Sequence, residues 1–285
     1  MKKILCPTDF SATSDKALEY AVYIARHANA HLSLMHVLHL PIADTSDTAL
    51  VAGELLGEQT RDAGEKLKAK CLFLEHQFGA NQAGHFTCDY ILKEALLTDT
   101  AVHLTRNEGY DMIVMGTTGC DSTMEELLVG SNTETVIEEV KCPVLSVPST
   151  ASEPSIERIV YATDYSDEDS AALEEVVGVG SLFGADIHVV HVVKDETSEG
   201  KVKSQQFWNE LQSAYPDVPL HFQEITNKHR DEGLKTYYES VGGSMLAVLR
   251  KEKGFFQNLF SQSLSEQLTY QAEVPLLVLH SKKNL

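Results

Sequence analysis

Two hydrophobic rhythms alternate along the chain. A short apolar run at 3–7 has the length and continuity of a buried strand, and further strands are expected near 31–37, 85–91, 112–115 and 144–147. Between them the apolar residues return every three or four positions. From Ser11 to Asn29 they fall at Ala17, Leu18, Ala21, Val22, Ile24 and Ala25, which predicts a helix. Residues 49–78 predict a long helix whose polar face carries Glu54, Glu58, Arg61, Glu65 and Lys68. Further helices are expected over 93–107 and 131–140. Strands that alternate with helices pair in parallel through right-handed crossovers. The fold class expected is therefore α/β.

The same rhythm then repeats. Lys3-Ile-Leu-Cys-Pro-Thr-Asp-Phe-Ser11 matches Arg158-Ile-Val-Tyr-Ala-Thr-Asp-Tyr-Ser166, and Met35-His-Val37 matches Val190-His-Val192, at one shared offset. The far ends match as well: Ser131, Glu134 and Pro143 answer to Ser263, Glu266 and Pro275. The second set of strands is expected near 158–162, 186–192, 219–225, 245–249 and 275–279. Its helices are expected near 167–183, 200–214, 231–241 and 263–272. Two prolines, Pro148 and Pro154, bracket small polar residues between the copies. The expected division is one unit over 1–148, a linker over 149–155 and a second unit over 156–285. A chain of 285 residues suits two such units, each long enough to bury a core.

Charge and cysteine content narrow the partners. The net charge of −19 is shared about equally between the halves. Such a field repels nucleic acid and anionic membranes. No apolar run reaches the length of a membrane-spanning helix. The opening residues lack the pattern of a secretory signal, and Cys6, Cys71, Cys88, Cys120 and Cys142 form no C-x-x-C pair. Reduced thiols and a cytoplasmic location are expected.

The chemistry concentrates after the fourth strand. Gly116-Thr-Thr-Gly119 is followed, after ten intervening residues, by Gly130-Ser131-Asn132. This differs from the dinucleotide fingerprint and from the P-loop with its lysine, but glycines again allow close backbone approach. Ser131 and Glu134 form a capping box at a helix start, and free N–H groups there attract an anion. In an open parallel sheet the ligand crevice lies at the carboxyl ends of strands where the order reverses. Asp9 ends the first strand and Gly116 the fourth, so both are expected to line it. Tight turns between elements would use the same glycines.

Pro7-Thr8-Asp9, Val37 and Met115-Gly116-x-x-Gly119…Gly130-Ser131 together resemble the universal stress protein family, in two tandem copies over nearly the whole chain. The resemblance implies two Rossmann-like, doubly wound domains, each a five-stranded parallel sheet of order 3-2-1-4-5. It implies an adenine nucleotide, ATP or AMP, with Asp9 and Val37 at the adenosine end and Gly116, Gly119, Gly130, Ser131 and Asn132 around the phosphates. The gap from Gly119 to Gly130 is one residue longer than the family's usual spacing.

No Lys or Arg lies between Arg106 and Lys141, whereas Asp121, Glu125, Glu126 and Glu134 do. Triphosphate would then call for a divalent ion such as Mg, with Asp121 or Asp9 as outer ligands. The second copy keeps Asp164 and Val192 but puts Leu249, Glu252 and Gln262 at or near the glycine positions, with the bulky run Phe255–Phe260 between the last two. One intact site and one degenerate copy are expected.

Histidines give no helical H-x-x-x-H beside a carboxylate. His36 and His191 recur at the repeat offset, which argues for a structural role in both. His36, His39 and Asp44 are a poor metal set, and Cys120 reads as a packed thiol. The functional expectation is a nucleotide-binding stress or signalling protein that senses or buffers, with no catalytic residues. A slow ATPase and a ligand-free scaffold are the alternatives. The two fifth strands, both apolar edges, are expected to join the halves as an intramolecular pseudo-dimer, with a homo-oligomer as a further expectation.

Overall fold

The computed structural model describes residues 1–38, 46–79, 86–117, 131–195, 197–250 and 274–281. The first half contains β1 (Lys3–Pro7), α1 (Ala12–Ala28), β2 (His31–Leu38), α2 (Ser46–Phe78), β3 (Thr87–Glu94), α3 (Leu97–Asn107), β4 (Met112–Thr117), α4 (Ser131–Glu139) and β5 (Val144–Pro148). The second contains β6 (Arg158–Ala162), α5 (Asp169–Phe183), β7 (Asp186–Val193), α6 (Ser198–Ala214), β8 (Leu220–Thr226), α7 (Arg230–Val241), β9 (Met245–Arg250) and β10 (Leu276–His280). The helix expected near 263–272 and the Phe255–Phe260 run lie outside the described residues.

The elements form for local reasons. Ser11 caps α1 by accepting a hydrogen bond from the Ser14 backbone N–H. Asn29 ends it in the left-handed region, where Asn is tolerated better than most residues. The face of α1 that carries Ala17, Leu18, Ala21, Ile24 and Ala25 is buried, as its periodicity predicted. β1, β4, β5, β9 and β10 are buried over almost every position, as expected of strands covered on both faces.

The strands form one ten-stranded sheet in the order β3-β2-β1-β4-β5-β10-β9-β6-β7-β8. Within each half all pairs are parallel and the order is that of a doubly wound α/β unit. β5 and β10 pair antiparallel, with Leu277 opposite Leu145. Successive side chains on each strand enter opposite layers. Ile4 and Cys6 pack beneath α1 and α2, in a layer that continues through Ile159 and Tyr161 beneath α5. Leu5 packs into the other layer, with Val136 and Ile137 of α4, Leu234 of α7 and Val278 of β10. Each layer is thus continuous across both halves.

Polar contacts also cross the seam. His280 Nε2 lies 2.8 Å from the Ile137 carbonyl, and Arg250 donates to the Glu138 carbonyl. The Tyr23 ring stacks on Phe183 at 5.1 Å between centroids.

Candidate functional site

β1 sits between β2 and β4, so the chain order reverses beside it. A crevice at the carboxyl ends of β1 and β4 follows. Its floor is a tight turn after β1. The Thr8 N–H donates to the Met35 carbonyl (2.8 Å), and its own carbonyl meets His36 Nδ1 at 2.7 Å. The buried Thr8 hydroxyl accepts from the Phe10 N–H and contacts the Ser14 hydroxyl at 3.1 Å. Phe10 is left at φ 65°, its ring 4.7 Å from that of His36. Pro7 and Thr8 therefore build the turn, and their polar backbone groups are spent on it.

Asp9 is presented by this turn and is itself exposed. One carboxylate oxygen accepts the Ser11 N–H at 3.0 Å. What burial Asp9 has opposes its ionisation. Hydrogen bonds from Ser11 and Ser14 outweigh that, and its carboxyl ends below the usual carboxylate value. Asp9 is thus a fixed anionic acceptor at the crevice mouth.

On the facing side Met115 is buried, and Gly116 and Val37 are half-buried. Gly116 has an exact steric reason to be glycine: a Cβ there would lie 2.7 Å from the Thr13 carbonyl oxygen in the first turn of α1. Thr133 of α4 donates to the Gly116 carbonyl at 3.0 Å, which ties the start of α4 to the end of β4. Ser131 opens α4 and Asn132 is exposed beside it. The Thr117 hydroxyl is buried and has no hydrogen-bond partner among the described residues. Gly119, Cys120, Asp121 and Gly130, like His39 and Asp44, lie outside the described residues. The structure thus brings together Pro7, Thr8, Asp9, Val37, Met115 and Gly116, with Ser131 and Asn132 at the adjoining helix start.

Two cations absent from the sequence reading also come near. Lys70 of α2 pairs with Asp15 of α1 at 2.6 Å, and Lys66 lies 5.3 Å from the centre of the Phe10 ring. Lys66 and Lys70 are one turn apart, beside the buried stripe Ala63, Leu67, Cys71 and Leu74. That stripe is the signal that would have aimed both lysines at α1. Among the described residues no group of three metal-binding side chains converges.

The second half repeats the turn but alters its surroundings. Thr163 N–H donates to Val190 carbonyl, His191 Nδ1 meets the Thr163 carbonyl at 2.7 Å, and Tyr165 has φ 60°. His36 and His191 thus hold the same structural place. Where the first half has Ser14, the second has Asp169, 1% exposed. Asp169 accepts from the Tyr161 and Thr163 hydroxyls and from the Ser166 N–H. Leu249, fully buried, stands at the Gly116 position. In the repeat frame α5 also begins two residues later than α1. A leucine in place of the glycine and a later helix start thus set the second copy apart from the first.

Comparison with known proteins agrees with this architecture. The universal stress protein family profile matches residues 1–148 and again 155–280. A universal stress protein of Mycolicibacterium smegmatis is 21% identical over 302 residues, covering 98% of this chain and 97% of that protein. Universal stress protein MJ0577 of Methanocaldococcus jannaschii is 31% identical over 160 residues, covering 51% of this chain and 94% of that protein. The crystal structure of a universal stress protein from Archaeoglobus fulgidus superposes with a TM-score of 0.73 at 21% identity, covering 98% of both chains. With two successive matches spanning most of its length, the chain belongs to the universal stress protein family.

Proposed function

We propose that the chain binds one adenine nucleotide, ATP or AMP, in a unit over 1–148, and that the unit over 156–285, joined by a linker at 149–155, is a degenerate copy. The observation that carries this reading is the asymmetry at one structural position: Gly116 in the first crevice and buried Leu249 in the second. The groups around the first crevice fit such a ligand. Asp9 offers a carboxylate to a ribose hydroxyl or an adenine amino group, and Val37 an apolar flank. The Thr117 hydroxyl, which has no hydrogen-bond partner among the described residues, and the N–H groups at the start of α4 suit phosphate oxygens. Lys66 supplies the cation that the glycine loop lacks, and Mg would offset the rest of a triphosphate's charge. The reading is one of stress response or signalling by binding. Hydrolysis would need a positioned base and charge stabilisation at the phosphates.

The test is calorimetric titration of the full chain with ATP, AMP and adenosine, with and without magnesium. One site per chain is expected. Asp9→Ala should weaken ATP and adenosine alike. Gly130→Val should weaken ATP far more than adenosine. Two equivalent sites, or normal ATP binding by Gly130→Val, would overturn the assignment.

A further inference from the structure

Five cysteines scattered along the sequence read as isolated thiols, but the fold brings two of them together. Cys71 on the buried face of α2 and Cys88 on β3 have their sulfurs 3.0 Å apart. Both thiols also face the Asp89 carbonyl oxygen, Cys71 at 3.2 Å and Cys88 at 3.7 Å. They are 5% and 8% exposed, at the place where α2 covers the edge strand β3. Among the described residues Cys6 and Cys142 have no cysteine partner.

We propose that Cys71 and Cys88 are a redox modification site, a dithiol that closes to an intramolecular disulfide when the protein meets a hydroperoxide. A disulfide needs sulfurs at about 2.0 Å, so closure calls for a movement of about 1 Å within existing contact. The near burial of both sulfurs selects a small oxidant over a bulky disulfide. Cys88 donates a hydrogen bond to the Cys71 sulfur. That bond first, and burial second, hold the Cys88 thiol protonated well above its ordinary range. With Cys88 as donor and the Cys71 sulfur as acceptor, the geometry assigns Cys71 as the nucleophile and Cys88 as the resolving thiol.

The Cys71 thiol loses its proton to solvent, and the thiolate attacks hydrogen peroxide. The O–O bond breaks, a sulfenic acid forms on Cys71, and the released hydroxide takes a proton to become water. The Cys88 sulfur then attacks the sulfenic sulfur as its own proton passes to the departing hydroxyl. The S–S bond forms and a second water leaves. Two thiols are oxidised by two electrons in all, and one peroxide is reduced to two waters.

The bond would fix α2 on β3 at the point where α2 reaches α1. Lys70, adjacent to Cys71, holds Asp15, and Lys66 lies over Phe10. The site is independent of any nucleotide.

The reduced full chain is treated with a small excess of hydrogen peroxide, alkylated under denaturing conditions, and read by intact mass and peptide mapping. The expected result is loss of two of the five thiols, one crosslink joining the Cys71 and Cys88 peptides, and full reversal by dithiothreitol. The crosslink should form at least tenfold faster than any oxidation of Cys6 or Cys142. In Cys88→Ser the reaction should stop at a sulfenic acid on Cys71, trapped by dimedone. The wild-type map alone decides the matter if that variant folds poorly. Retention of all five thiols, or a crosslink through another cysteine, overturns the proposal.

Discussion

Gly116 and Leu249 show how one side chain separates two otherwise similar repeats. At Gly116 the constraint comes from the first turn of α1, since a Cβ would meet Thr13 backbone and side chain below 3 Å. Gly116→Val should therefore destabilise the protein by about 1–3 kcal/mol through overpacking, seen as a lower urea midpoint. Its loss of nucleotide binding should accompany that loss of stability. If the proposed site is right, Gly130→Val should instead lose binding at nearly unchanged stability, and an equal loss of stability in both variants would count against it. In the second half the buried carboxylate of Asp169 has taken the place of the Ser14 hydroxyl. Removing it in Asp169→Ala orphans the Tyr161 and Thr163 hydroxyls. Each buried unsatisfied donor costs about 1–3 kcal/mol. A drop of several kcal/mol is expected in denaturant unfolding, with nucleotide affinity unchanged. A drop under about 1 kcal/mol would mean that the network does not hold the turn.

At the scale of elements, α1 depends on its cap. Ser11→Ala removes the acceptor for the Ser14 N–H and should lower stability by about 1 kcal/mol. β10 carries a pH-dependent contact. Burial, reinforced by Arg250 and Lys141, lowers the pKa of His280 against the opposing hydrogen bond to Ile137. An unfolded histidine titrates near pH 6.5, so below that value the unfolded state binds the proton first. Stability should be full above about pH 6.5 and fall as pH drops toward the lower folded value. His280→Gln should flatten that part of the urea-midpoint profile relative to wild type; an identical slope would remove His280 as its source.

Most elements were legible in the sequence because strands buried on both faces leave unbroken apolar runs, as at β1, β4 and β9. β3 was legible only in part. The sequence suggests a strand ending at Ile91 and a helix from Lys93, but β3 continues to Glu94 because Val37 and Leu38 pair with Lys93 and Glu94. At an edge strand, half-exposed and charged, tertiary pairing overrides local pattern. Of the candidate site, the placing of Asp9 after β1 and of Gly116 in β4 could be read from position alone. Lys66 could be aimed only through the apolar stripe of α2, and the approach of Cys71 to Cys88 could not be read, because helix packing creates both from residues far apart along the chain.

At the scale of the molecule, the contrast between the middle and the rim of the sheet fixes how the halves meet. The outer strands β3 and β8 expose polar residues such as Lys93, Glu94, Gln223 and His221, which discourages further strand addition. The central pair β5 and β10 is apolar and buried throughout. Leu145 and Leu277 face each other with no solvent exposure, in the layer that also holds Tyr161 and Leu249. A seam of this kind makes the halves one cooperative unit, because separating them would expose two strand edges and a shared core layer. The paired substitution Leu145→Lys with Leu277→Lys places two like charges opposite each other. It also forfeits at least the 2–5 kcal/mol of a core leucine truncation. Pairing across the seam should fail while each half keeps its own parallel strands. Limited proteolysis should then cut between β5 and β6, where wild type resists, and release two fragments that separate on gel filtration. Wild type nicked at that place should elute undivided. If the double variant stays protease-resistant and unfolds in one transition at the wild-type midpoint, the β5–β10 seam is not what couples the two halves.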